Sequence, residues 1–66
     1  MTTTYIYTTK KGLNKETFDS RGYVTLEREG VHIYEHQFGG MALRLQEQTL
    51  VMELEKRNID YKTIKA

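Results

Sequence analysis

The chain has 66 residues with no cysteine, no proline and no tryptophan, and a formal net charge of +1. That length holds a single domain, residues 1–66, and the missing cysteines exclude a disulfide framework. Hydrophobic content of 38% beside 29% charged residues belongs to a chain that folds rather than to a disordered tail.

Residues 2–9 (TTTYIYTT) are all β-branched or aromatic and predict the first strand. Residues 10–22 (KKGLNKETFDSRG) lose that period and cluster Gly, Asn, Asp and Ser, so they read as a connection. Its middle, NKETF, suits one helical turn capped by Asn14. Residues 23–28 (YVTLER) and 31–37 (VHIYEHQ) alternate on either side of Glu29-Gly30 and predict an antiparallel hairpin. A loop of two or four residues sets Leu26 opposite Ile33 with Val24 on the same face, leaving Tyr23, Thr25, Glu27, His32, Tyr34 and His36 on the other. A three-residue loop would face Leu26 with His32 and mix the two sets. The first register is expected because its apolar set is coherent.

Phe38-Gly39-Gly40 ends that strand, and residues 41–57 (MALRLQEQTLVMELEKR) are strong helix formers without glycine or proline. Asn58 suits the left-handed residue that closes a helix, with Ile59 folding back on the last turn. The tail DYKTIK is short and β-prone, which predicts a strand along a sheet edge. The expected fold class is α+β: a small antiparallel sheet of three or four strands, in β-β-β-α-β order, covered on one face by a single helix.

Catalytic chemistry finds little to work with. His32 and His36 have the spacing that would bring two imidazoles to one metal on a helix. On a strand the same spacing separates them by about 13 Å, at roughly 3.3 Å per residue, so no metal site is expected. Ser20, the lone serine, sits in DSRG, where Asp and Ser ordinarily bond the local backbone. Gly39-Gly40 precedes the helix without the lysine or spaced glycines of a phosphate loop. Glu47, Glu53 and Glu55 read as a solvated helix face. The chain is therefore expected to have no catalytic residues and no cofactor.

The helix carries the functional signal. At about 100° per residue, Leu43, Leu50 and Leu54 project together with Val51 at their margin, while Met41, Leu45 and Met52 fall nearly opposite, with Gln48 between them. A helix on one face of a sheet needs one apolar stripe. The second stripe, Met41, Leu45, Gln48 and Met52, is read as a protein interface. A chain below about 70–80 residues seldom retains more than a few kcal/mol from its own core, and here association replaces the absent disulfides. The expected partners are a second copy of the chain, a larger protein that it modulates or inhibits, or both. Its size matches that of many small inhibitors from phages and mobile elements.

The alternative reading is single-stranded nucleic-acid binding. Tyr5, Tyr7, Tyr23 and Tyr34 would share the sheet face away from the helix if Ile6 points inward, beside Lys10 and Lys11, and aromatics on an open sheet stack unpaired bases. Glu27 and Glu35 on the same hairpin oppose that reading. No apolar run approaches the roughly 20 residues of a membrane helix. The segment MTTTYIYTT has neither a basic nor an apolar leader region, so a cytoplasmic location is expected.

Overall fold

A computed structural model describes all of residues 1–66. The elements are β1 (Thr2–Thr9), β2 (Gly12–Asp19), β3 (Tyr23–Arg28), β4 (Val31–Gln37), α1 (Gly40–Lys56) and β5 (Tyr61–Lys65). They form one antiparallel sheet ordered β4-β3-β2-β1-β5. Four strands run as a meander, and α1 then carries the chain back across one face so that β5 pairs with β1. The α+β class and the edge strand agree with the sequence reading; the strand count does not.

Residues 12–19 form β2 and not the connection with a helical turn that their composition suggests. The register of β2 with β1 pairs Thr3 with Phe18, Tyr5 with Glu16 and Tyr7 with Asn14. Phe18 is thus the only apolar side chain that β2 contributes to the face under α1. The other inward positions are Asn14 and Glu16, so no apolar alternation marks the strand.

Pleating places Tyr5, Phe18, Val24 and Leu26 beneath the helix, where Tyr5, Phe18 and Val24 pack with Leu43 in one buried cluster. Tyr5 meets Phe18 edge-on with ring centroids 5.7 Å apart and Tyr61 at 5.9 Å, the geometry that aromatic quadrupoles favour. From the helix, Leu43 and Leu54 are buried while Leu50 and Val51 are half-buried, so the predicted inner stripe is the one that docks.

The helix closes as its sequence indicated. Asn58 has φ 57°, its N–H donates to the Glu55 carbonyl at 3.1 Å, and the Ile59 N–H donates to the Leu54 carbonyl at 2.8 Å. This pair of bonds is the Schellman arrangement, which satisfies two carbonyls left free at a helix end.

The hairpin β3–β4 turns on Glu29 and Gly30, both left-handed at φ 51° and 78°, the pairing that matches strand twist in a two-residue loop. The Glu29 N–H donates to the Leu13 carbonyl at 2.8 Å, tying this turn to β2. Arg28 pairs with Val31 and Glu27 with His32, but the register then shifts, so Leu26 faces Tyr34 and Val24 faces His36. The expected pairing of Leu26 with Ile33 is therefore replaced. Ile33 is the extra residue of a bulge, and the bulge turns Tyr34 and His36 to the α1 side with Val24 and Leu26. Gly22 at φ 102° lies where a Cβ would run into the Phe38 carbonyl, and its own carbonyl accepts the Phe38 N–H at 2.6 Å. A residue with a side chain fits neither the dihedral nor the space.

Candidate interaction surface

The second helical stripe lies outside the core. Met41 is 84% exposed, Leu45 60% and Met52 68%, with Gln48 exposed between them. Helical periodicity sets this stripe opposite Leu43 and Leu54, whose burial fixes which side meets the sheet. The stripe borders a groove between α1 and β1. At one end Met41 and Leu45 meet Met1 and Thr3; at the other Gln48 and Met52 meet Tyr5 and Val51; Glu47 and Gln48 belong to both. The Tyr5 hydroxyl donates to Glu47 at 2.5 Å, pinning the helix flank to β1. Burial, reinforced by that carboxylate, pushes the Tyr5 phenol well above its ordinary range.

The tyrosines do not form the shared open face of the nucleic-acid reading. Tyr5 and Tyr7 lie on the α1 side because Ile6 points away from it, the reverse of the inward Ile6 that reading required. Tyr34 is on the α1 side as well, through the β4 bulge, and only Tyr23 faces the opposite side, with the Arg21 guanidinium 5.8 Å from its ring centre. Lys10 and Lys11 are exposed in the β1–β2 turn. A buried tyrosine needs a partner for its hydroxyl, and Glu47 and Glu16 supply those partners from elements remote in sequence.

What sequence reasoning missed is a polar cluster beside the core. Asn14 is 1% exposed. Its amide nitrogen donates to the carbonyls of Gly12 at 3.0 Å and Tyr7 at 3.4 Å and to the Thr9 hydroxyl at 3.2 Å, while its oxygen accepts from Arg28 Nε at 2.7 Å. Glu16 accepts from the Tyr7 hydroxyl at 2.9 Å and from that of Tyr34 at 3.4 Å. Every member finds a partner and none faces a cleft holding a second reactive group, so the cluster is structural. Its only trace in sequence is the i, i+2 spacing of Asn14, Glu16 and Phe18, which marks a strand face once the polar pairs are known.

Burial raises the Glu16 carboxyl above its ordinary 4.5, and the two phenol hydrogen bonds only partly oppose this. A carboxyl whose pKa is higher folded than unfolded favours folding most below the unfolded value, and loses that contribution as pH rises through the folded value. Glu16→Gln, whose amide oxygen still accepts from Tyr7, is therefore expected to melt above the parent at neutral pH, with the gap closing below about pH 4. Thermal melts followed by circular dichroism across that range check this; parallel profiles would mean that the carboxylate is hydrated.

The residues weighed for catalysis remain apart. His32 and His36 are exposed on β4, and the His36 ring lies 4.3 Å from that of Phe38, tilted by 55°. Ser20 is exposed in the β2–β3 turn, where its hydroxyl accepts from the Met1 amine at 3.3 Å. No group of three or more His, Cys, Asp or Glu side chains converges on a point, and no helix is long and apolar enough to cross a membrane. Comparison with family models, curated proteins and solved structures finds no match to this chain.

Proposed function

We propose that this chain is a small non-catalytic protein-interaction module that associates with itself and binds a larger protein to modulate or inhibit it, using Met41, Leu45, Gln48 and Met52 of α1 as the contact surface. One observation carries the reading: Met41, Leu45 and Met52 are 60–84% exposed on the side of α1 opposite the buried Leu43 and Leu54. Apolar side chains aligned over three helical turns leave water when a partner covers them. Small domains without disulfide or metal commonly gain stability this way. Nucleic-acid binding has thinner support, since Tyr5 and Tyr7 lie under the helix with their hydroxyls bonded to carboxylates.

Leu45→Glu tests the surface. An unpaired charge buried at an interface costs several kcal/mol, and about 1.4 kcal/mol is tenfold in affinity, so self-association is expected to weaken at least about a hundredfold while the monomer keeps its fold. Sedimentation velocity over a concentration series reads this directly, and the parent's melting temperature should rise with concentration. An unfolded variant of a monomeric parent would return the stripe to the protein's own core.

A further inference from the structure

We propose that a second copy of this chain adds its β5 antiparallel to β5 across a two-fold axis at Thr63, so that one continuous sheet runs through both copies. The proposal rests on the self-associating half of the reading above and names the seam.

Both edges of the sheet are open, and they differ. Thr2 and Ala66 exchange both backbone bonds, at 3.0 and 2.9 Å. Bonded and non-bonded pairs alternate along an antiparallel ladder, so Thr4–Ile64 and Ile6–Lys62 are bonded, while Thr3–Lys65, Tyr5–Thr63 and Tyr7–Tyr61 are not. The N–H and C=O groups of Tyr61, Thr63 and Lys65 therefore point outward in unbroken register. The opposite edge, β4, is interrupted by the bulge at Ile33, a device that blunts an edge against a straight partner strand.

Strand register and charge together select the axis. With the two-fold at Thr63, the outward groups of Tyr61, Thr63 and Lys65 meet those of the partner's Lys65, the partner's Thr63 and the partner's Tyr61. Lys62 then faces the partner's Ile64, and no lysine faces a lysine. An axis at Lys62 would set lysine against lysine, which destabilises a cross-strand pair, and an axis at Ile64 would leave the outward groups of Tyr61 with no residue of the partner's β5 to meet.

The seam also continues the helix surface. Lys65 and Thr63 pair with Thr3 and Tyr5, which line the groove under α1, so the partner's Tyr61 arrives beside Lys65 at the end of the groove bordered by Met1, Met41 and Leu45. The helix strip from Met41 to Met52 is roughly 17 Å long, at 1.5 Å per residue, and about 10 Å wide, the breadth of a helix, so its area is on the order of 170 Å² and falls short of the about 800 Å² that each partner of a stable dimer buries. Strand pairing supplies the missing contact.

Ile64 is 52% exposed, so its replacement spares the monomer. Ile64→Lys places a cation opposite the partner's Lys62, and Ile64→Glu places an anion there. The two-fold repeats each pair, so the dissociation constants of the two variants are expected to differ by about tenfold, Ile64→Glu being the tighter. The difference should shrink in salt. Amide exchange at Tyr61, Thr63 and Lys65 should slow as concentration rises. A dimer with equal constants in the two variants, exchange protection at Glu35 and Gln37 of β4 instead, or a parent that stays monomeric overturns the seam. If Leu45→Glu dissociates a dimer that ignores both Ile64 variants, the helix surface stands and the seam alone fails.

Discussion

Phe18→Ala is expected to leave a large share of the protein unfolded at 25 °C, with folded and unfolded populations comparable. Phe18 is 3% exposed and is the one apolar side chain that β2 sends under α1, touching the edge of Tyr5 and packing with Val24 and Leu43. Deleting a buried aromatic ring costs about 3–5 kcal/mol through lost transfer energy and the cavity left behind. A single core in a chain of this length seldom supplies more than about 3–5 kcal/mol in all, so the two quantities nearly cancel. Urea melts followed by circular dichroism at 222 nm, a helix signal, provide the measurement, and Phe18→Leu, which keeps most of the volume, should fold with a loss of about 1.5 kcal/mol or less. A cooperative, parent-like melt of Phe18→Ala would show that α1 does not rest on β2.

Asn14→Leu is expected to cost on the order of 3 kcal/mol, although it exchanges a polar side chain for an apolar one of similar size in a buried position. Hydrophobicity alone predicts the opposite sign. The side chain is 1% exposed and bonds Arg28, the Thr9 hydroxyl and the carbonyls of Tyr7 and Gly12. A leucine leaves those groups without a partner, and each buried polar group so orphaned costs about 1–3 kcal/mol. Because the Gly12 carbonyl and Thr9 bracket the Lys10-Lys11 turn, the β1–β2 turn should loosen first, seen as faster amide exchange at Thr9 and Gly12, the last bonded pair of that ladder. Asn14→Asp keeps the acceptor for Arg28 and loses the donor, so comparing it with Asn14→Leu separates the two halves of the network. A neutral Asn14→Leu melt would mean that water replaces those bonds.

The glutamates show how one residue type takes different roles by position. Glu47 pins α1 to Tyr5, Glu16 collects the hydroxyls of Tyr7 and Tyr34 beside the core, and Glu53 bonds Arg57 one turn away on the exposed helix surface at 3.3 Å. The first two tie elements distant in sequence and therefore bear on the fold. The exposed i, i+4 pair contributes about 0.3–0.5 kcal/mol and is weakened further by salt.

Elements whose information is local are legible in the order of residues alone. The β-branched and aromatic run of residues 2–9 reads as a strand in any context. Glu29-Gly30 between two alternating segments reads as a hairpin, and the helix with its Asn58-Ile59 stop depends on propensity and on bonds within six residues. The inner and outer helix stripes follow from angular spacing alone, which separates Leu43 and Leu54 from Met41, Leu45 and Met52 without any tertiary contact.

The remaining features depend on contacts between distant segments. The strand β2 has an inward face of Asn14, Glu16 and Phe18, and a pattern that registers apolarity does not recognise a face whose burial is made tolerable by partners on β1, β3 and β4. The single bulge at Ile33 sent Tyr34 and His36 to the helix side, and the docking of α1 over Tyr5 put Ile6 on the open one. Each of these choices is made by contacts between segments far apart in the chain, where a shift of one residue exchanges the two faces of a strand and local propensity is the same for both outcomes.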